Sequence, residues 1–279
     1  MQVLENGAIL VDYGPMHMFI SVFENGRPVV TLAKEGAYKA MRILEDLAKF
    51  IPVIKRKSKE LKNEEIYPHV VRRMIEVTQE IGEPDLTPLA AVAGTTSEVV
   101  ADFIYERGGT KIIVDNGGDI AIRLRGGETA RIGIKTEVDA KEPSYCISIH
   151  SETGIGGIAT SGLGGRSFTK GIASAVTVLS KTASMADTAA TVVGNYTDVE
   201  DSAIVRSLAE KIYPDTDLQR EWVTLKVGKL SQGKIDKALK RGLVKAEMMW
   251  QKGFIKGALI AVQGKVVWTD SMNSWLTGL

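Results

Sequence analysis

The sequence predicts an α+β protein, and three features of the chain support this class. Segments with helical apolar spacing and short β-prone runs come partly in blocks rather than in strict alternation. Asn-Gly and Gly-Gly pairs separate neighbouring β-prone runs, which favours antiparallel hairpins. No break in composition and no repeat divides the 279 residues. We therefore expect a single large domain, 1–279, with mixed and antiparallel sheets and flanking helices.

The first part of the chain predicts a hairpin followed by helices. The hairpin strands are residues 17–23 and 28–32, and Asn25 and Gly26 form the turn between them. Apolar residues recur at helical spacing in the segments that follow. The predicted helices lie at about 41–51, at about 70–77, and from the small-residue segment 89–92 up to Gly108.

The rest of the chain is rich in short β-prone runs. Gly-Gly turns at 117–118 and 126–127 separate some of them. The predicted strands are 111–115, 120–124, 130–135, 145–150, 175–179, 258–262 and 266–268. The last two are predicted to form a hairpin that turns at Gln263 and Gly264. The predicted helices are 184–193, 203–212 and 234–251. Residues 153–171, rich in Gly, Ser and Thr, are predicted to form a long loop.

Composition and charge exclude several classes of function. The net charge is +1, so no global field attracts nucleic acid or an anionic membrane. The basic stretch 55–62 is diluted by Glu60, Glu64 and Glu65, and a solvated linker or helix face explains it better than phosphate contact. The lone Cys146 excludes an internal disulfide and a cysteine-based zinc site.

The chain shows no export signal and no membrane segment. The N-terminus lacks a basic region followed by an apolar stretch, and no window approaches 18 apolar residues. We expect a cytoplasmic protein whose partner is a small-molecule ligand, not nucleic acid or a membrane. The balance of charged and apolar residues suits a homodimer as well as a monomer.

Residues 115–120 contain the first candidate for a ligand site. Asn116, Gly117, Gly118 and Asp119 lie between two predicted strands. The glycines allow unusual dihedral angles, and exposed N–H groups with Asn and Asp side chains can bind phosphate or other polar atoms. A plain β-turn uses the same residue types, so both interpretations stand.

The loop 153–167 is the second candidate. It is too long and too rich in glycine for a simple connector, and such loops often bind ligands. It is neither a P-loop nor a complete dinucleotide-binding fingerprint, because the GK[ST] and third-glycine elements are missing. A flexible surface loop and a phosphate cradle are equally compatible with it.

Asp187 and Thr191 form the third candidate, a metal site. They lie four residues apart in a predicted helix and therefore share one face. Carboxylate and hydroxyl oxygens suit Mg²⁺ or Ca²⁺, with water as the remaining ligands. Alternatively, Asp187 interacts with the helix dipole and Thr191 only packs.

Catalytic candidates are few. The chain contains three histidines, and no hydrolase triad order, HExxH or C-x-x-C pattern includes them. His150 directly precedes the glycine-rich loop and is the one histidine placed to act as an acid or base, although a structural role is an equally simple explanation. Asp119 and Asp187 are the other two candidates for acid or base.

Taken in order, these segments resemble the ApbE superfamily, whose best-known members are FAD:protein FMN transferases. The resemblance covers about 89–194. It rests on residues 90–94, on the N-G-G-D turn, on I-A-T-S-G at 158–162, and on A-D-x-x-x-T at 186–191. An uncharacterised prokaryotic branch of the superfamily is more similar still, because it shares D-Y-G-P at 12–15 and A-D-T-A-A-T at 186–191.

The resemblance implies a large α+β fold that binds FAD or a related flavin nucleotide in a glycine-rich cleft. It implies a divalent ion, Mg²⁺ or Ca²⁺, bound by Asp187 and Thr191, which neutralises charge as the pyrophosphate is split. The cofactor-binding residues that it implies are Ala93, Gly94, Asn116, Gly117, Gly118, Asp119, Ala159, Thr160, Ser161, Gly162 and Arg166.

Two departures from the family pattern argue against transferase activity. The transferases carry a Lys-Gly pair where this chain has Ala93-Gly94, so a cationic phosphate contact is missing. They also carry an H-x-x-D-P-x-T-G stretch where this chain has residues 166–171. We therefore expect a protein that binds a flavin nucleotide or another phosphorylated ligand. The alternatives are an enzyme for a different small metabolite and a non-enzymatic scaffold.

Overall fold

The computed structural model describes residues 1–62, 64 and 66–279. Glu65, one of the acidic residues counted beside the basic stretch, lies outside the described residues. The described helices are α1 (Val30–Lys49), α2 (Ile51–Ile54), α3 (His69–Ile81), α4 (Val92–Tyr105), α5 (Ala183–Tyr196), α6 (Ala209–Ile212) and α7 (Gln232–Gln251). Short 3₁₀ helices cover Ser58–Glu60, Pro88–Ala91, Ser151–Thr153 and Asp270–Ser274.

The described strands are short and mostly paired with neighbours in an antiparallel sense. They are β1 (Gln2–Val3), β2 (Ile9–Tyr13), β3 (Met16–Glu24), β4 (Arg27–Pro28), β5 (Lys111–Asp115), β6 (Ile120–Leu124), β7 (Thr129–Ile134), β8 (Tyr145–His150), β9 (Gly157–Ser161), β10 (Ala175–Ser180), β11 (Ile204–Leu208), β12 (Trp222–Val227), β13 (Gly257–Val262), β14 (Lys265–Trp268) and β15 (Leu276–Gly278). Antiparallel sheets combined with helices confirm the predicted α+β class.

The contacts between residues divide the chain into two compact units. Unit 1 comprises Met1–Ala130, Ile149–Ala159 and Ser180–Thr188. Unit 2 comprises Arg131–Ser148, Thr160–Leu179 and Ala189–Leu279. That the whole chain, 1–279, forms a single domain stays a prediction.

Unit 1 is built on a sheet in the order β1, β2, β3, β5, β6, β9, with β4 paired to β3. Side chains alternate along β3, so Met18, Ile20 and Val22 are buried while His17 and Phe19 are exposed. Helices α1 and α4 pack against these strands and against each other. The buried stripe of α1 includes the small residues Ala33, Ala37 and Ala40, which allow this close packing.

Unit 2 contains a hydrophobic pair of strands, β10 and β13, in which every residue is buried. They pair antiparallel from Ala175 opposite Ala261 to Leu179 opposite Gly257. Strand β14 extends this pair, and α7 packs against β13. Two further sheets, β15–β8–β7 and β11–β12, complete the unit. The nearly continuous apolar sequence of these two strands is what burial on both faces requires.

Two predicted hairpin turns are confirmed. Asn25 and Gly26 have φ values of 50° and 76°, and Gln263 and Gly264 have values of 46° and 80°. Positive φ at both central positions matches the twist of the flanking strands, which explains the preference for glycine there.

Three secondary-structure predictions were wrong. The strand predicted at 28–32 ends at Pro28, and α1 begins at Val30, because burial of its alanine stripe outweighs the β propensity of residues 29–32. The helix predicted at 203–212 is β11 followed by α6, because 204–208 pair with β12, a strand that was not predicted. The predicted loop 153–171 contains β9, which was not predicted because glycine is uncommon in strands. Strands β2 and β15 were also missed.

The helices of the described residues include none with the length and apolar character needed to span a bilayer.

The core of unit 1 predicts a large difference between two identical substitutions. Ile20 is 0% exposed on β3, whereas Ile66 is 79% exposed. We expect Ile20→Ala to lower the free energy of unfolding by about 2–5 kcal/mol, because a buried aliphatic chain is lost and a cavity remains. Ile66→Ala should leave it within about 0.5 kcal/mol of wild type. Urea denaturation measures both, and equal losses would contradict the assigned core.

Candidate functional site

Helix α4 begins without a cap from its own sequence, and Asp187 of α5 supplies one. The residue before the helix, Ala91, has no side-chain acceptor. The backbone N–H of Gly94 donates to Asp187 Oδ2 at 2.8 Å, and the N–H of Ala93 donates to the same carboxyl. The first N–H groups of a helix have no intrahelical acceptor, and a negative charge is favourable there.

Gly94 allows this approach because it has no side chain. A Cβ atom at Gly94 would lie 2.2 Å from the carbonyl oxygen of Ala183 and 2.7 Å from Cβ of Asp187. The Ala183 oxygen belongs to the backbone, so no side-chain rotation can move it away. The glycine therefore sets the distance between the start of α4 and the first turn of α5.

The start of α5 is capped in return by Glu98 of α4. Glu98 is only 7% exposed. Its Oε2 accepts a hydrogen bond from the N–H of Ser184 at 2.9 Å, and its Oε1 accepts one from Arg73 Nε at 3.2 Å. Thr182 Oγ1 accepts from Arg73 Nη2 at 3.2 Å and caps the N–H of Met185 at 3.4 Å. We call the two reciprocal caps, Asp187 on α4 and Glu98 on α5, the helix junction.

Two glycines at the start of β9, Gly156 and Gly157, pack directly on the backbone that leads into α5. A Cβ atom at Gly156 would lie 2.3 Å from the carbonyl oxygen of Lys181, and one at Gly157 would lie 2.3 Å from the N and Cα of Ala183. Gly156 N–H also donates to the Ser180 carbonyl at 3.0 Å. Close packing thus explains these two glycines of the predicted cradle without a ligand.

The N-G-G-D turn is fastened to α4. Asn116 N–H donates to the Asp119 carbonyl at 3.2 Å, and Gly117 and Gly118 have φ values of 73° and 100°. Ser97 Oγ donates to the carbonyl of Asp119 at 2.8 Å. The structure therefore brings this turn to the helix that carries Ala93 and Gly94. A ligand-binding role for residues 116–119 stays a prediction.

The predicted residues that follow along the chain are divided between the units. Ala159 is buried in unit 1. In unit 2, Thr160 Oγ1 and Thr177 Oγ1 lie 2.9 Å apart, and Ser161 is half-buried. The remaining two are Gly162, where a Cβ would lie 2.4 Å from the Ser174 carbonyl, and the exposed Arg166. Their role in binding stays a prediction.

The segment that replaces H-x-x-D-P-x-T-G is held firmly within unit 2. Lys170 Nζ forms a 2.8 Å ion pair with Glu221. Thr197 Oγ1 accepts the N–H groups of Ile172 and Ala173, each at 3.0 Å. Gly171 leaves no room for a side chain, because a Cβ there would lie 1.9 Å from the Gly194 carbonyl.

Helix α5 exposes two oxygen-bearing side chains on an otherwise buried surface. Over residues 183–194, Asp187 and Thr191 are half-buried and every other residue is buried. They lie one turn apart, as the sequence pattern predicts. Asp187 and Thr191 are thus the two residues of this stretch that keep some accessible surface, and their side chains carry the donor types that Mg²⁺ and Ca²⁺ prefer.

The surroundings of Asp187 change its acidity. Burial raises the pKa of the Asp187 carboxyl from its ordinary 3.8 to about 7, while the N–H groups of Gly94 and Ala93 act in the opposite direction. The side chain lies among many protein atoms yet keeps part of its surface open. Near neutral pH it is therefore divided between the acid and the carboxylate.

The donor set fits a divalent ion only if the ligand or water supplies further oxygens. Within residues 1–62, 64 and 66–279, no group of three or more His, Cys, Asp or Glu side chains could hold a metal. Asp187 and Thr191 supply two oxygens. Mg²⁺ in nucleotide sites is commonly bound by one or two carboxylates together with phosphates and water, which this pair allows.

The two other acid–base candidates lie in unit 1. His150 is the last residue of β8 and is exposed. Asp119 is half-buried at the end of the N-G-G-D turn. Their catalytic roles stay predictions. Sequence reasoning missed Arg73, Ser97, Glu98 and Thr182, although a glutamate inside a run of small and apolar residues was a usable signal, because charged residues are seldom buried unless paired.

Comparison with known proteins shows the family. The family model described as AbpE bacteria matches residues 1–268. The UPF0280 protein of Methanococcoides burtonii is 30% identical over 181 residues, covering 64% of this chain and 74% of the relative. The chain belongs to this ApbE-like family, which confirms the resemblance found in the sequence.

Other matches are shorter or weaker. The UPF0280 protein MmarC7_0482 of Methanococcus maripaludis strain C7 is 35% identical over 46% of this chain and 51% of the relative, so the chain spans about half the length of this curated relative. The crystal structure of the Pseudomonas stutzeri flavinyl transferase ApbE in its apo form superposes with a TM-score of 0.47 and 13% identity, covering 96% of this chain and 95% of that chain.

The helix junction predicts opposite effects of the same substitution in two helices. Gly94 and Gly233 both lie in the first turn of a helix, but a Cβ at Gly233 would meet nothing within 4 Å. Gly94→Ala should lower the free energy of unfolding by about 2 kcal/mol or more through overpacking. Gly233→Ala should be neutral or raise it by up to about 1 kcal/mol. Chemical denaturation measures both values; a neutral Gly94→Ala would refute the close approach of α4 and α5.

The raised pKa of Asp187 predicts how stability depends on pH. A carboxyl whose pKa is higher in the folded than in the unfolded chain stabilises the fold when protonated. This contribution is complete below about pH 4 and is lost as the pH rises through about 7. Asp187→Asn keeps an oxygen acceptor for Gly94 and removes the charge.

We therefore expect Asp187→Asn to be more stable than wild type at pH 8, by about 1–3 kcal/mol, and not at pH 4. Asp187→Ala removes the cap as well, so its gain at pH 8 should be smaller by about 1 kcal/mol. Unfolding curves at the two pH values give the comparison. A gain from Asp187→Asn of the same size at both would show that burial does not shift this carboxyl.

Proposed function

We propose that the protein binds a flavin nucleotide, FAD first, or another phosphorylated small molecule beside the helix junction. A divalent cation, Mg²⁺ or Ca²⁺, would be held by Asp187 and Thr191. Transfer of FMN to a protein hydroxyl is not part of the proposal, because the lysine and the H-x-x-D-P-x-T-G stretch of the transferases are missing.

One observation carries this proposal. The stretch of α5 with the A-D-x-x-x-T pattern is buried except at Asp187 and Thr191. The cap on α4 accounts for part of the role of the Asp187 carboxyl, but burial still makes its charge costly without a cation, and the cap gives no role to the hydroxyl of Thr191. Two oxygens on one open stripe are better explained by an ion or ligand that binds them.

The residues of the helix junction have different roles in the proposed site. Gly94 N–H donates to Asp187 Oδ2 at 2.8 Å and Ala93 N–H donates to the same carboxyl, which fixes the group that would bind the cation. The pKa of Asp187 near 7 means that a bound cation would displace a proton in the neutral range. The ion, when bound, would neutralise the phosphate charges of the nucleotide. Ser97 would keep the N-G-G-D turn beside the same helix.

Membership of the ApbE-like family supports flavin as the first ligand to test. The names of the two UPF0280 relatives specify no ligand, and the term flavinyl transferase belongs to the Pseudomonas stutzeri protein. FAD is thus proposed because of the family resemblance, and the site is placed at the helix junction because Asp187 and Thr191 lie on α5.

Calorimetric titration with FAD, with and without Mg²⁺, tests the proposal. Wild type should bind FAD, and Mg²⁺ should increase its affinity. Asp187→Ala and Thr191→Val should weaken binding at least tenfold, about 1.4 kcal/mol, because each removes one cation ligand. Thr129→Val, at an exposed threonine of β7, is the matched control and should bind as wild type does.

Absence of FAD binding by a folded wild type would refute flavin as the ligand, and Mg²⁺ dependence that survives Asp187→Ala would refute the cation site. In the first case, a screen of other phosphorylated metabolites by thermal shift would separate a changed ligand from a scaffold without a ligand.

A further inference from the structure

Glu98 is a buried charge that the proposed ligand site does not use directly. It is 7% exposed, and both of its oxygens accept hydrogen bonds, one from Ser184 N–H and one from Arg73 Nε. Taking a carboxylate and a guanidinium out of water costs free energy that their attraction often only offsets. Thr182 already caps the N–H of Met185 at this helix end, so Glu98 adds a charged acceptor where an uncharged cap is present.

The position of Glu98 links two sites that are distant in the sequence. Ser184 is separated from Glu98 by 86 residues and lies one helical turn before Asp187. Glu98 lies one turn after Gly94, whose N–H holds Asp187. The two carboxylates therefore form a ring of contacts, from Glu98 to Ser184, along α5 to Asp187, and back to α4 through Gly94.

We propose that Glu98 is a positioning residue for the cation and nucleotide site, and that Arg73 orients it. It fixes the first turn of α5 against α4 and so determines where Asp187 presents its carboxyl. Arg73 bridges Glu98 and Thr182, so the start of α5 is held from both its cap residue and its first turn. This inference rests on the proposed function for its effect on ligand binding, but not for its effect on the junction itself.

The geometry makes Glu98→Gln informative. The amide that replaces the carboxylate has one acceptor and one donor group, while both partners, Ser184 N–H and Arg73 Nε, are donors. One donor would lose its acceptor and the first turn of α5 would loosen. Arg73→Gln in the same protein provides an acceptor for the new amide N–H, so the double variant should restore the junction.

Two measurements test the role. Hydrogen exchange of the Gly94 amide reports on its bond to Asp187 without any ligand, and calorimetry reports on FAD and Mg²⁺ binding. We expect Glu98→Gln to raise the Gly94 exchange rate at least tenfold and weaken binding at least fivefold, with partial recovery in the Arg73→Gln/Glu98→Gln double variant. Glu76→Gln is the matched control. Glu76 Oε2 lies 3.8 Å from Arg73 Nη1 and the side chain is half exposed, so neither the exchange rate of Gly94 nor the affinity for FAD should change.

A double-mutant cycle separates positioning from general stability. If Glu98 acts through Asp187, Glu98→Gln should weaken binding no further in an Asp187→Ala background. Additive losses would overturn the proposal, as would wild-type Gly94 exchange in Glu98→Gln. If the wild type binds no FAD but Glu98→Gln still accelerates Gly94 exchange, the proposed function is refuted and the positioning of Asp187 by Glu98 stands.

Discussion

The exchange of carboxylate caps between α4 and α5 is the interaction on which the candidate site depends. The N-terminal ends of two helices lie side by side, and each carries a partial positive charge of about half an elementary charge. Left without anions, these ends would repel each other. Asp187 and Glu98 each place a carboxylate on the N–H groups of the other helix, and Gly94 removes the side chain that would keep the helices apart.

The two carboxylates of the junction are in different electrostatic positions. Glu98 has Arg73 beside it, at 3.2 Å, and is buried with its charge compensated. The pKa of Asp187 is dominated by burial, and only backbone N–H groups oppose it. The first arrangement suits a fixed structural contact. The second suits a group that gains a cation, because a bound ion would relieve the cost that burial imposes on its charge. Thr191, on the same open stripe, is the neighbour that such an ion would share.

Local patterns were sufficient for part of this structure. The positive-φ turns at Asn25-Gly26 and Gln263-Gly264 follow from residue types alone, and the shared face of Asp187 and Thr191 follows from their spacing. The strand at 204–208 was missed because it is stabilised by pairing with β12, a β-prone segment that was overlooked in the sequence. Glycine composition suggested a phosphate cradle at 153–167, but Gly156 and Gly157 are required by the backbone of residues 181–183. Pairings such as Glu98 with Ser184 join segments 86 residues apart, and no local rule predicts them.

Paramagnetic broadening by Mn²⁺ in the amide spectrum of the isotopically labelled protein, with FAD present, tests the central claim most directly. Mn²⁺ replaces Mg²⁺ at oxygen sites and broadens the signals of nuclei close to it. If Asp187 and Thr191 hold the cation, the amides of Ala93, Gly94, Asp187 and Thr191 should broaden at the lowest Mn²⁺ concentration and stay sharp in Asp187→Ala. Broadening that begins elsewhere, or that persists at these amides in Asp187→Ala, would contradict a cation site at the helix junction.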